Sequence, residues 1–193
     1  ALIKIMTKYK NTKLKLVGEI ELPDDLKEFQ DRIIIEPFVD WQKLPEIIAS
    51  IDINLAPLED SIFNEAKSEN KWLEAALVKT VTLASDLGAF HQMINDGVDG
   101  ILFKNEKDFE KKLEKLVKDK EYREEIATNA YNRVIKNNVT TYSGHGLAKF
   151  IKSKLHKNIA FVLPTTNISG GVNVVIRHIG MLKKQGYDVT VIN

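Results

Sequence analysis

The chain has 193 residues, 44% apolar and 28% charged, with a formal net charge of +1; this is a globular composition, with length for one full domain and part of another. So even a charge balance supplies no field for nucleic acid or an acidic membrane. The lack of cysteine excludes disulfide frameworks and thiolate metal sites and suits a reducing compartment.

Residues 2–9 open the chain with helical periodicity. Short apolar runs rich in Ile, Leu and Val follow at 13–17, 32–35, 53–56, 80–84 and 100–103, and each reads as a strand. Segments 41–48, 68–77 and 89–94 between them read as helices. This alternation predicts a Rossmann-like three-layer α/β/α fold with a mostly parallel sheet. Ligands on such sheets bind beyond the carboxyl ends of the strands, the edge at which loop 57–67 emerges.

Strands stop after residue 106. Phe109, Leu113, Leu116 and Val117 share one helix face, Ile126, Ala130 and Val134 a second, and Leu147, Phe150, Ile151 and Leu155 a third, so three amphipathic helices close the domain. Lys111, Lys112, Lys115, Lys118 and Lys120 alternate with Glu110, Glu114, Asp119 and Glu121. That mixture is a solvated face and not a nucleic-acid patch. A strand at 158–163, a loop at 164–171, a helix at 172–185 and a strand at 188–192 then form one βαβ unit, with Gly186 as the left-handed residue ending the helix. No apolar run reaches membrane-spanning length, and no signal peptide is visible. The first residue already lies inside a helical pattern and the last follows a strand, so the sequence reads as a piece of a longer protein.

The stretch from Phe63 to Ala76 is the most informative. A polar loop opens into a helix with Ser68 as its expected N-cap and Glu74 two turns in. Helix starts offer free N–H groups and partial positive charge, which suit phosphate. A carboxylate further along accepts hydrogen bonds from sugar hydroxyls. Lys67, Ser68, Glu69 and Asn70 at the helix opening and Glu74 further along read together as a grip for a sugar nucleotide, the opening for its phosphates and Glu74 for sugar hydroxyls. The apolar neighbours Leu73, Ala75 and Ala76 are expected to tilt Glu74 from the open surface; the alternative is a surface glutamate pairing along the helix with Asn70 or Lys71.

Three stretches, in this order, resemble the donor-binding C-terminal domain of GT-B glycosyltransferases, in particular the retaining, family-four-like (group 1) enzymes of bacterial surface polysaccharide synthesis. They are residues 14–18, a strand and its glycine; Asp52-Ile53-Asn54-Leu55-Ala56-Pro57-Leu58; and residues 67–74 with Ala84-Ser85-Asp86 and Asp96-Gly97-Val98-Asp99-Gly100-Ile101-Leu102-Phe103 downstream. The resemblance implies a donor domain at 1–155, lacking its first strand. It further implies that 156–193 is the first βαβ unit of a second GT-B N-terminal domain, with packing of that unit onto the first sheet as the alternative.

The implied activity is transfer of a sugar from a nucleotide diphosphate to a saccharide or lipid-linked acceptor in polysaccharide or glycan synthesis. The implied setting is cytoplasmic or peripheral at the inner face of the membrane. The implied partners are the nucleotide-sugar donor, that acceptor and the remaining domains of the parent enzyme, with no nucleic acid and no transmembrane segment. Neither a cofactor nor a metal is expected, the nucleotide sugar being substrate. The chain alone, without an acceptor domain, is expected to be inactive.

The resemblance also implies that Phe38, in the loop Glu36-Pro37-Phe38-Val39, packs against the nucleobase; the alternative is an aromatic closing the core. The family's Glu, seven residues, Glu pattern has Ala66 at its first position, which leaves the catalytic residue unassigned. Glu65 is the neighbouring candidate, though a one-residue offset aims it elsewhere. Glu59, Asp60 and Ser61 read equally as a hydroxyl-binding loop and a solvated turn. Gly170-Gly171 reads as a strand-to-helix turn. His91, His145, His156 and His178 lack ligand spacing, and His91 reads as a polar contact at a helix start. Two other readings stand beside the transferase: a non-catalytic scaffold module, marked by the missing glutamate, and a GT-B sugar-nucleotide epimerase.

Overall fold

A computed structural model describes residues 1–153, 158–163 and 170–192, with backbone alone for 141–143. The chain folds as two compact units, 1–134 and 135–193. The expected boundary at 155/156, with Leu155 and His156, and most of the expected loop 164–171 lie outside the described residues.

The first unit runs α1 (Leu2–Lys8), β1 (Leu14–Val17), a 3₁₀ segment (Asp24–Arg32), β2 (Ile33–Glu36), α2 (Leu44–Ala49), β3 (Ile53–Ala56), α3 (Ile62–Glu65), α4 (Asn70–Leu77), β4 (Val81–Ser85), α5 (Gly88–Met93), β5 (Ile101–Phe103), α6 (Glu106–Lys118) and most of α7 (Lys120–Asn137). All five strand candidates form within a residue of their expected places. The 3₁₀ segment and α3 are additional, and both fall in stretches with no long apolar period.

Every strand pair is parallel. β3, β4 and β5 form one three-stranded sheet, with Ile53 opposite Val81 and Leu83 opposite Ile101. β1 and β2 pair separately, with Leu14 opposite Ile33. The single sheet suggested by the sequence is thus two ladders. All five residues of β4 are buried, whereas β1 and β2 are half-buried or exposed.

Strand alternation feeds two cores. Val81, Leu83 and Ile101 pack with Ile5, Leu113, Leu116, Ile126 and Ala127. Ala56, Ala84 and Leu102 pack with Trp72, Ala76, Phe90, Ile94, Ala130 and Val134. Successive strand side chains point to opposite faces, so the three-stranded sheet lies between helical layers and the unit is a Rossmann-like α/β/α sandwich.

The turn between α5 and β5 is wired into the second of these cores. Asp99 is 3% exposed; its carboxylate accepts from the Asn95 backbone N–H at 2.8 Å, from Asn95 Nδ2 at 2.7 Å and from Arg133 Nη1 at 2.7 Å. Its carbonyl accepts from the Trp72 indole N–H at 2.7 Å, and the Arg133 guanidinium lies over the Trp72 ring. Gly97 takes a left-handed φ of 79°. A Cβ on Gly100 would sit 2.8 Å from Ile94 Cγ2, so that glycine lets the turn close onto the core.

Across the other face, α1 lies against α6 with ion pairs at matching four-residue intervals, Lys4 to Glu110 at 2.9 Å and Lys8 to Glu114 at 2.7 Å. Glu114 also accepts from Tyr9 Oη at 2.6 Å and pairs with Lys118 at 3.1 Å.

The second unit holds the end of α7, α8 (Thr140–Ser153), β6 (Asn158–Val162), α9 (Gly170–Lys184) and β7 (Asp188–Ile192). β6 and β7 pair in parallel as a two-stranded sheet of their own, which is the expected βαβ unit. Gly186 has the left-handed φ, 83°. Leu182 and Tyr187 pack with Ala148, Ile151, Ile159, Phe161 and Val189, so α8 is part of this core. Val162 and Ile192 remain exposed. Among the described residues no helix is long and apolar enough to cross a membrane.

Removing Arg133 strands a buried carboxylate, which typically costs about 3 kcal/mol or more. Arg133→Met is expected to lower stability by that order in urea unfolding, with far-UV circular dichroism of the folded state unchanged. A second expectation concerns acid. Hydrogen bonds from Lys8, Tyr9 and Lys118 pull the Glu114 carboxyl from 4.5 down to about 2. A folded pKa below the unfolded one adds stability above the unfolded pKa, and that stability is lost as pH falls through the folded one. Thermal scans of Glu114→Gln should therefore show a shallower fall in Tm than the unsubstituted chain between about pH 4.5 and pH 2.

Candidate functional site

The loops that follow the strands define the carboxyl edge of the first unit. Because β3 and β4 pair in register through Ala56 and Ala84, the loop 57–69 and the turn after β4 leave side by side. Ser85 joins them: its hydroxyl accepts from the Leu58 N–H at 2.8 Å and donates to the Leu58 carbonyl at 3.0 Å. Further on, Ser61 caps α3 by accepting from the Asn64 N–H at 3.3 Å, and Asn64 Nδ2 donates to the Glu59 carbonyl at 2.8 Å. Ser61 and Glu59 are therefore parts of a built turn.

The end of α3 rests on the start of α5. Gly88 has φ 53°, and a Cβ there would lie 2.7 Å from the Glu65 carbonyl oxygen and 3.0 Å from its Cα. Both the left-handed backbone and the close approach require glycine. The Glu65 backbone is thus fixed, while its carboxylate is on the exposed side. Lys67 follows, its ammonium 5.0 Å above the exposed Phe63 ring.

α4 begins at Asn70, two residues later than expected. Glu69 takes the cap position with no side-chain cap bond, so Ser68 is exposed and is not the N-cap. The Glu69 carbonyl accepts from the N–H groups of Trp72 and Leu73. The first amides, those of Asn70 and Lys71, have no acceptor within the helix. The helix is held from below: Asn54 Nδ2 donates to the Lys71 carbonyl at 3.0 Å and to Thr82 Oγ1 at 3.2 Å, and the Trp72 indole is tied to Asp99.

Glu74 is one turn into α4, not two, because the helix starts late. It shares the exposed stripe with Asn70, Lys71 and Leu77. The expected tilt away from the surface does not occur: Ala75 and Ala76 are buried on other faces of the helix and do not draw Glu74 inward. Partial burial still pushes the Glu74 carboxyl above its ordinary pKa, and the Lys71 ammonium pulls the other way. Glu74 and the amides of Asn70 and Lys71 therefore belong to one side of one helix, whose start opens at the carboxyl edge.

Phe38, after β2, is 87% exposed, which discards the alternative that it closes the core. Trp41, in the same loop, is also exposed; its place in a loop rather than in a helix, where the sequence pattern put it, is the signal that was missed. The structure brings Glu65, Lys67, Ser68, Glu69, Asn70 and Glu74 onto one loop and helix; Phe38 is on a different loop. Asn54 and Ser85 stand within the motifs quoted from the sequence but were assigned no role there, and Gly88 was missed; all three position that loop and helix. Sequence reasoning also missed the pairing of His91 with Asp86, at 2.6 Å. Among the described residues no three His, Cys, Asp or Glu side chains gather as metal ligands. α9 starts at Gly170, and among the described residues a Cβ on Gly170 or Gly171 would meet nothing within 4 Å.

The sequence profile of a family described as "Glycosyl transferases group 1" matches residues 1–119. No curated protein sequence matches significantly. Among solved structures, HepE of Anabaena in complex with UDP-glucose is similar, with a TM-score of 0.63 and 17% identity over 79% of this chain and 44% of its own. The C-terminal domain of LpcC, a glycosyl transferase group 1 family protein from Francisella tularensis, has a TM-score of 0.53 and 22% identity over 70% of this chain and 74% of its own. Sucrose-phosphate synthase from Thermosynechococcus elongatus has a TM-score of 0.61 and 14% identity over 80% and 41%. These likenesses are of fold, that of GT-B glycosyltransferases, and the chain spans less than half the length of HepE and of the synthase.

The glycine at 88 generates a direct expectation. Gly88→Ala must push the Glu65 backbone off α5 and adopt a left-handed φ. It should raise hydrogen-exchange rates of the amides from 62 to 69 and lower stability by about 1–3 kcal/mol, as read by exchange mass spectrometry and urea unfolding.

Proposed function

The chain belongs to the group 1 glycosyl transferases, and we propose that its first unit binds the nucleotide diphosphate of a sugar donor at the start of α4. One observation carries this reading: the unpaired amides of α4 open at the carboxyl edge of a parallel sheet, with Glu74 on the same helix. Amides and helix dipole suit the diphosphate, with Lys67 adding charge from the preceding loop. Glu74 accepts from the ribose hydroxyls in charge-assisted bonds. Phe38 offers an exposed ring for the base. HepE was crystallised with UDP-glucose, which supports a nucleotide sugar as the donor class here.

The parent enzyme then transfers the sugar to a saccharide or lipid-linked acceptor. The anomeric C–O bond to the diphosphate breaks, a bond to an acceptor oxygen forms, and that oxygen's proton is released. Fixed amides and Lys67 stabilise the departing diphosphate, so neither a metal nor a tightly bound cofactor enters this reading. Residues 156–193 are proposed as the opening of a further GT-B domain. The setting is cytoplasmic, or peripheral on the membrane's inner face. On this reading the acceptor is held by a partner domain, and residues 1–193 alone are expected to transfer no sugar.

Calorimetric titration of the chain with UDP and other nucleoside diphosphates tests the reading. Saturable heat is expected with at least one of them; its absence from all would favour a scaffold module. Glu74→Ala should weaken the preferred ligand about tenfold or more and remove the preference for the ribonucleotide over its 2′-deoxy analogue. A retained ribose preference in that variant would take Glu74 out of the site.

A further inference from the structure

The turn after β4 carries a polar pair that the donor reading leaves unused. Asp86 follows Ser85, and its side chain is 14% exposed; His91, in α5, has a side chain 68% exposed. His91 Nδ1 lies 2.6 Å from Asp86 Oδ1, and Lys104 Nζ lies 3.8 Å from Asp86 Oδ2. A largely buried carboxylate on Nδ1 fixes the tautomer and direction of the ring and leaves Nε2 as the open edge. The core on this side is filled by Phe90 and Ile94, so packing does not account for an exposed imidazole held in one orientation against its rotamer entropy.

The pair also stands in a telling place. Asp86 is the residue after Ser85, whose hydroxyl ties this turn to Leu58 on the donor-site loop. Gly88 and His91 are three residues apart and share a face of α5. At Gly88 that face meets the Glu65 backbone. The charged groups on the loop packed there are Glu59, Asp60, Glu65, Lys67 and Glu69; Asp86 is on the β4–α5 turn itself, and its partner Lys104 follows β5. The cations on this edge are Lys67 and Lys104; Asp86 is already engaged by His91 and Lys104, while the carboxylates of Glu59, Asp60, Glu65 and Glu69 limit how closely an anion approaches from the side of the loop.

We infer that His91, oriented by Asp86, is a binding contact for the diphosphate of the sugar donor, an inference that rests on the donor reading above. In its protonated form the ring donates Nδ1–H to Asp86 and Nε2–H to a phosphate oxygen. Asp86 is a positioning residue, acting through the imidazole. The ligand class is a pyrophosphate-bearing nucleotide, with the diphosphate gripped between α4 and the β4–α5 turn rather than by α4 alone.

The test titrates the full chain with UDP and with inorganic pyrophosphate, following heat and the ring-nitrogen NMR resonances of His91. Both ligands are expected to shift the Nε2 resonance. His91→Ala should weaken UDP about tenfold, and His91→Gln, whose amide nitrogen falls near the Nε2 position, should recover part of the loss. Either an unmoved ring resonance or an unchanged UDP affinity in His91→Ala overturns the inference while leaving the donor reading in place. Failure of the unsubstituted chain to bind UDP or any other nucleoside diphosphate removes both. Should His91→Ala fail to fold, His91→Gln and the resonances of the unsubstituted chain decide the matter alone.

Discussion

A buried carboxylate at Asp99 governs where α4 stands. The Asp99 backbone carbonyl accepts a hydrogen bond from the Trp72 indole N–H, and the carboxylate accepts from Asn95 and Arg133. Three elements distant in sequence, α4, the turn before β5 and α7, thereby meet at one residue. An unpartnered charge at this depth would be costly, so the network is satisfied in one arrangement and resists sliding of α4 along the sheet. Asn54 adds a second tether from β3 to the Lys71 carbonyl. A helix start offered to an anionic ligand is useful only if it is held in place before the ligand arrives, and these two tethers do that.

The loop before α4 is organised by smaller means. A serine hydroxyl that both accepts and donates, a helix cap at Ser61 and a glycine that admits a backbone carbonyl fix residues 58–65, with Leu58 packed against the core. Ile62 and Phe63 are left exposed as a result. The arrangement places Lys67 and the first amides of α4 along an edge where the three-stranded sheet ends on the uncharged Ala56, Ser85 and Phe103. It also explains why Glu65, one position from a motif glutamate, has a fixed backbone and a carboxylate on the exposed side: its main chain, not its side chain, is the part that packs.

Much of the architecture was legible in sequence because the strands are short, apolar and bounded by polar turns. β4 is buried along its whole length, including Thr82 and Ser85, and burial on both faces is the mark of a parallel sheet. The start of α4 was misread because Ser68 has good capping chemistry but sits one residue before the actual cap. For Glu74 only the expected tilt off the open surface differs, because apolar neighbours in sequence point elsewhere on a helix. The contacts that hold the site, Asn54 with Lys71, Ser85 with Leu58, and Trp72 with Asp99, join residues 17 to 27 positions apart. No local periodicity encodes such pairs. The turn around Gly97 was noticed as a motif, while its service as an anchor for Trp72 becomes visible only once the chain is folded.

The small sheet of the second unit has a different physical character. Parallel strands normally have both faces covered, and a two-stranded ladder is marginal by itself. Here Ile159, Phe161 and Val189 are packed, while Val162 and Ile192 face outward. The β6–β7 amides therefore sit on a shallow rung of the opening free energies within this chain. Solvent deuterium should reach them well before it reaches β4, and the molecule breathes unevenly, softest towards its carboxyl-terminal end.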